Sequence, residues 1–290
     1  MAKKNIFKNF SQAELDWQYN NRKRVPEVES LYKRWVEPSS GIIEQYETFL
    51  DIPYGNSDRE ILDIILPRTS GPYAVNLYLH GGYWMSRTKS DQTFLAKPIL
   101  DSGAVFAAIE YDLIPNVRMA DIVRQCRNAV SWIFKNAERF NIDINQVYVS
   151  GHSAGAHLAS ILISTDWDTI DGYSNILLRG ACLISGIYDL RPVKLSYMQD
   201  ILNFSNEEVR NFSPARFKLS FSGSVIVAVG SEESEEFCRQ SSDLVNEWSV
   251  QGINCSYLEL NGCNHFDILE NFANLDGLLS KKIVEQMSLA

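Results

Sequence analysis

Several residue types that would place the chain in a particular class are scarce. There are only five cysteines in 290 residues: Cys126, Cys182, Cys238, Cys255 and Cys263. The number is odd and no two form a C-x-x-C pair, so neither a disulfide framework nor a zinc site is expected, and a reducing cytoplasm fits best. Basic residues are outnumbered, 27 Lys and Arg against 36 Asp and Glu, giving a formal charge of −9. No basic run exceeds Arg22-Lys23-Arg24, which reads as the solvated face of a helix. The chain therefore lacks the electrostatic footprint of a partner for nucleic acid or an anionic membrane. No apolar run approaches the ~20 residues of a membrane span, and Met1-Ala2-Lys3-Lys4-Asn5-Ile6-Phe7 lacks the apolar core of a signal peptide. A soluble, cytoplasmic protein is expected. Histidine is scarcer still, with four in all, so chemistry that needs an imidazole has few candidates.

What the chain does have is core-forming material, 45% of its residues being hydrophobic. That suffices for one large domain over residues 1–290. Residues 1–40 read as a helical extension. Ser11-Gln12-Ala13-Glu14 is a capping box that opens a helix running from about Gln12 to near Pro26, followed by a second across Val28 to Val36. Their aromatic residues Trp17, Tyr19, Tyr32 and Trp35 are expected to pack on the body of the domain, with a lid over the site as the alternative. Ile42–Leu50 and Glu60–Leu66 read as an antiparallel hairpin around the turn Tyr54-Gly55-Asn56-Ser57-Asp58.

Strands and helices then alternate. The strands are Ala74–Leu79, Ala104–Tyr111, Val147–Ser150, Leu178–Ser185, Val225–Val229 and Cys255–Leu260. The helices are Thr93–Leu100, Ile122–Phe140, Phe237–Val250 and Leu269–Val284. This pattern is α/β: a mostly parallel sheet with helices on both faces and an antiparallel pair at one edge. Residues 186–223 are long for a plain connection and are expected to wall the pocket, since ligands in such sheets bind beyond the carboxyl ends of the strands.

The rest of the chain is organised around Gly151-His152-Ser153-Ala154-Gly155, a G-x-S-x-G turn between a strand and a helix. Such a turn strains the serine backbone and lifts its hydroxyl clear of the sheet, and glycine on either side removes the clash a side chain would cause. A serine becomes nucleophilic only when a base takes its proton. His152 lies inside the turn and is expected to point away, His157 is one turn into the following helix, and His80 opens a glycine loop. His265, between the last strand and the last helix, is left as the base.

The acid that orients His265 should follow the strand ending at Val229, where the chain reads Gly230-Ser231-Glu232-Glu233-Ser234-Glu235-Glu236. Glu233 is the first choice, Glu232 the second and Asp189 the third. His80-Gly81-Gly82-Tyr83-Trp84 follows another strand. Paired glycines there suit an oxyanion hole made by the N–H groups of Gly81, Gly82 and Tyr83 together with Ala154. Tyr83 and Trp84 are candidate substrate contacts, and no metal or cofactor is required.

With these residues the chain resembles the kynurenine formamidase (arylformamidase) branch of the α/β-hydrolases, near the hormone-sensitive-lipase-like esterases. The resemblance spans nearly the whole chain. It rests on His80-Gly81-Gly82-Tyr83-Trp84, on Ala13-Glu14-Leu15-Asp16-Trp17-Gln18-Tyr19 with Arg22 and Val25-Pro26, on Tyr111-Asp112-Leu113-Ile114-Pro115, and on Gly230 through Glu233-Ser234 to Phe237 with Arg239-Gln240-Ser241. It implies an α/β-hydrolase fold and a triad of Ser153, Glu233 and His265, with glutamate where animal members carry aspartate. It also implies hydrolysis of the formamide of N-formylkynurenine to kynurenine and formate. A carboxylesterase for small acyl compounds is the alternative, and a non-catalytic binding module a remote one. The expected partner is a small, aromatic substrate, and a homodimer is compatible with the sequence.

Overall fold

In the computed structural model, which describes residues 4–170 and 176–289, eight strands form one sheet. The first residues of the basic N-terminal stretch thus lie outside the described residues. The strands are β1 (Glu47–Pro53), β2 (Ile61–Leu66), β3 (Tyr73–Leu79), β4 (Val105–Ile109), β5 (Ile142–His152), β6 (Gly180–Ile184), β7 (Ser224–Gly230) and β8 (Asn254–Leu260). Their order across the sheet is β1-β2-β4-β3-β5-β6-β7-β8. β2 runs antiparallel to both β1 and β4, and every pairing from β4 through β8 is parallel. The chain leaves β3 for β4 on one side and returns to β5 on the other. The carboxyl ends of β3 and β5, paired at Leu79 and Gly151, therefore flank the point where strand order reverses. Crevices in open α/β sheets form at that point.

Successive residues of a strand face opposite sides of the sheet, and the two cores divide accordingly. Val75, Leu77, Val147, Val149, Val225 and Val227 face one way and pack under the helices Met119–Asn136, Ala154–Ile163 and Glu235–Ser249. Tyr78, Phe106, Tyr148, Cys182, Ile226 and Ala228 face the other way, under Val28–Gln45, Ala96–Asp101, Ile268–Ala273 and Leu278–Gln286. Nearly continuous apolar runs in the central strands follow from this double coverage.

Among the elements whose bounds differ from expectation, three helices stand out. The first helix is two, Gln12–Tyr19 and Asn21–Arg24, because Asn20 leaves helical geometry and its side chain accepts a bond from the Lys23 N–H. The next helix runs on to Gln45, where a strand was expected from Ile42. Val28, Leu31, Trp35 and Ile42 form one buried stripe, and Pro38, at the edge of that stripe, is exposed. A proline inside a helix costs about 3 kcal/mol. Each large apolar side chain that the continued helix buries returns roughly 1.5–3 kcal/mol. The last helix breaks into Ile268–Ala273 and Leu278–Gln286, with Gly277 between them. A Cβ at Gly277 would sit 1.9 Å from the Asn271 carbonyl oxygen. Residues 186–223 hold the short helices Leu190–Leu195, Gln199–Leu202 and Asn206–Asn211.

Candidate active site

Ser153 stands between β5 and the helix Ala154–Ile163 with φ 55° and ψ −116°, a region a side chain rarely occupies. The crowding that forces this is visible in its neighbours. A Cβ on Gly151 would lie 2.4 Å from the Gly155 carbonyl oxygen, and one on Gly155 only 1.9 Å from that of Leu79. Helix and strand backbones are thus in direct contact, and the serine between them is pushed to the head of the sheet.

His265 follows β8, and its Nε2 is 3.1 Å from Ser153 Oγ. Its Nδ1 is 2.6 Å from Glu233 Oε2. The other carboxylate oxygen of Glu233 accepts from Ser185 Oγ at 2.5 Å and from the Gly230 N–H at 2.9 Å. Glu233 is buried and fixed at both oxygens, whereas Glu232 is exposed. Asp189 is taken by Arg191, whose guanidinium binds both its oxygens. Of the three acids considered, the structure brings Glu233 to the imidazole.

The remaining histidines hold the frame. His152 does not point away from the site: its Nε2–H donates to the His265 carbonyl at 2.7 Å, and the two rings lie 4.7 Å apart. Burial, and then the nearby His265, hold its pKa well below the ordinary range, so it stays neutral. Burial likewise takes His157 down to about 4, with its Nε2–H on the Phe212 carbonyl. His80 stacks on Tyr111 and binds Glu110 through Nε2 at 2.8 Å. Burial pushes Glu110 up, but the bond from His80, the His80 charge, the Lys89 N–H and the Arg59 charge outweigh it and hold the carboxyl below its usual range.

That network anchors the start of the glycine loop. Gly81 lies against the elbow, where a Cβ would be 3.0 Å from His152 Nδ1 and 3.3 Å from Ser153 Cβ. Gly82 has φ 117°, and a Cβ there would be 2.1 Å from the Ser86 carbonyl oxygen, so glycine is required. Among the described residues, the N–H groups of Gly82, Tyr83 and Ala154 donate to no backbone carbonyl outside the regular elements. Ala154 begins its helix, where the first N–H groups have no intrahelical partner.

A cleft of about 220 Å³ opens onto Ser153 and His265. Tyr83 lines it, but Trp84 does not: it is 0% exposed and edge-on to His157 and Phe204 in the core. Trp84 as a substrate contact is therefore corrected. With φ 52° and 58°, Tyr83 and Trp84 form a tight left-handed turn, and the Trp84 ring ends in the core.

From the 186–223 segment come Tyr197, Met198 and Ile201. The other wall comes from the N-terminal extension, for which a lid over the site was the alternative expectation: Tyr19, Asn20, Asn21, Arg22 and Tyr32 line it. Tyr83 Oη donates to the Tyr19 carbonyl at 2.7 Å. Tyr19 Oη in turn donates to Glu236 at 2.9 Å and accepts from Gln240 at 2.8 Å. Nothing in the local sequence signals these contacts, which span up to 221 positions. Among the described residues no helix is long and apolar enough to cross a membrane.

Residues 62–191 match the family model BD-FAE. The kynurenine formamidase of Danio rerio is 33% identical over 97% of this chain and 98% of its own length. That of Salmo salar is 31% identical over 99% and 97%. Among solved structures, a putative thioesterase from Silicibacter sp. TM1040 superposes with a TM-score of 0.82 at 28% identity, covering 92% of this chain and 98% of the other. An esterase from Pyrobaculum calidifontis, at 17% identity, shares the fold with a TM-score of 0.71 over 96% and 97%.

Proposed function

Since the chain belongs to the kynurenine formamidase family of α/β-hydrolases, and is a hydrolase of the amidase and esterase kind, we propose that it cleaves the N-formyl amide of an aromatic amine, N-formylkynurenine to kynurenine and formate. The observation that carries the reading is the relay from Glu233 through His265 to Ser153, at 2.6 Å and 3.1 Å, at the floor of the cleft. Glu233 holds the Nδ1–H tautomer, which leaves Nε2 free to accept the Ser153 proton. Oγ attacks the formyl carbon, and the N–H groups of the glycine loop and Ala154 receive the negative charge on its oxygen. His265 then gives its proton to the nitrogen as the C–N bond breaks, and the amine leaves. Water, deprotonated by the same imidazole, attacks the formyl ester, and formate departs with Ser153 restored.

A flat aryl group suits walls that include Tyr19, Tyr32, Tyr83, Tyr197 and Phe266. Ester or thioester cleavage is the second reading. The same relay serves it, and the superposable Silicibacter protein is described as a thioesterase. Turnover of N-formylkynurenine beside p-nitrophenyl acetate, with Ser153→Ala as control, separates the two. Formamide turnover lost in the variant supports the proposal, and ester cleavage alone removes the substrate while keeping the relay.

A further inference from the structure

Among the described residues lining the cleft, Arg22 and Arg87 carry the only permanent charges, and no carboxylate lines it. This is unexpected in a chain of net charge −9. Both arginines have counter-ions, Glu29 for Arg22 and Asp91 for Arg87. These acids line a neighbouring depression on the far side of Tyr32 rather than the cleft itself. Arg87 borders both hollows, and the carboxylates of the two ion pairs lie outside the cleft.

Arg87 is the better placed of the two. Its guanidinium lies 3.7 Å over the Tyr32 ring, a stack that fixes the plane of the fork. Its stem runs along the glycine loop, since a Cβ on Gly82 would be 2.9 Å from Arg87 Cγ. Asp91 takes Nε at 3.1 Å, which leaves the Nη donors of a five-donor group. The Arg87 side chain is 22% exposed and that of Arg22 is 63% exposed. Arg22, with its Cζ 5.9 Å from the same ring, stands at the mouth. A planar fork held by stacking is suited to a carboxylate.

Resting on the reading of Ser153 as the reacting centre, we propose that Arg87, aided by Arg22, selects acyl substrates that carry a free carboxylate beyond the aryl group. Arg87 grips the anion in the cleft beside the glycine loop, and Arg22 draws it in from solvent. A purely structural role, pinning Tyr32 and the N-terminal helices, would affect charged and neutral substrates alike.

The test compares kcat/KM for N-formylkynurenine with that for its carboxamide, which removes the charge and leaves the aryl formamide intact. In the unmodified enzyme the carboxylate should be preferred by about tenfold or more, the usual worth of a bond to a charged group. Raising the salt to about 0.5 M should shrink the preference, Arg22 being exposed. Arg87→Gln should lower the ratio about tenfold, mostly through KM, and Arg22→Gln by less. Equal turnover of the two substrates by the unmodified enzyme, or an equal loss on both in Arg87→Gln, would overturn the proposal. If Arg87→Gln fails to fold, Arg87→Lys, which keeps the charge and loses the fork, and the salt dependence of the unmodified enzyme decide. If neither formamide is cleaved, the formamidase reading fails on its own. The carboxylate preference is then read from 3-(2-acetoxyphenyl)propanoate against 3-(2-acetoxyphenyl)propanamide, aryl esters with and without the charge beyond the ring, where its absence overturns the proposal.

Discussion

Replacing Glu233 by glutamine keeps shape and volume but changes one oxygen into an NH2 group, and the surroundings decide which. One oxygen position faces the Gly230 N–H, a donor fixed by the backbone at 2.9 Å. An NH2 there would set donor against donor, so the amide oxygen must take that place. The NH2 is then directed at His265 Nδ1, the 2.6 Å contact of the carboxylate. The imidazole can accept it only by moving its own proton to Nε2, the nitrogen facing Ser153 at 3.1 Å. The base becomes a donor, and Ser153 can no longer lose its proton to it. A serine hydrolase with the wrong tautomer loses about 10⁴-fold in kcat. The assay is single-turnover cleavage of an aryl ester, with thermal melting to show that the fold survives. Glu232→Gln, at an exposed position, is the control and should stay within about twofold. A Glu233→Gln enzyme within tenfold of the original would refute the assignment of this acid.

Stability should fall on mild acidification, because His152 and His157 are held neutral by burial. Above pH 6.5 neither state binds the extra proton. Below it the unfolded chain takes up protons that the fold refuses, so stability drops as pH falls, and for His157 it goes on dropping to about pH 4. At about 1.4 kcal/mol per histidine, denaturant melts at pH 7.5 and 5.5 should differ by about 2.7 kcal/mol, and identical midpoints would contradict the burial argument. Gly155→Ala places a methyl against two backbone oxygens, those of Leu79 and His80, and should cost about 3 kcal/mol or more or prevent folding. Soluble protein with an unchanged Tm would show that the elbow has slack. Tyr19→Phe strips Glu236 and Gln240 of a shared buried partner and should cost about 1–3 kcal/mol. KM should rise more than kcat falls, and unaltered melting and KM would mean that the N-terminal wall of the cleft bears no load.

The elbow was legible because its chemistry is local: Gly151, Ser153 and Gly155 are required by one turn. His265 followed from scarcity, as one histidine of four in a loop after the last strand. Glu233 and Glu232 could not be separated with the same security. They are adjacent, and only the direction of the turn after Gly230, set by contacts with Cys263 and Leu260, decides which side chain faces inward. Trp84 misled because a left-handed pair of residues after Gly82 decides where its ring goes, a property of backbone angles and not of residue type. The helix through Pro38 was missed for a related reason, since local propensity lost to a buried stripe. The cleft wall made by Tyr19 to Arg22 was the least accessible, because the partners that seat Tyr19, namely Tyr83, Glu236 and Gln240, lie far along the chain.

The long reach of that wall also bears on when the protein becomes complete. A ribosome delivers the N-terminal residues first, yet Tyr19 has no seat until Glu236 and Gln240 exist, and Trp35 waits for Glu270 to receive its indole N–H. The opening segment meets Tyr83, Arg87 and Phe94 early, but its seat stays incomplete through most of synthesis and its last contacts close only near the end. Nascent chains should therefore be vulnerable at their beginning rather than at their growing end. A fusion partner placed at the N-terminus would weigh on substrate selection before it disturbed the relay at Ser153.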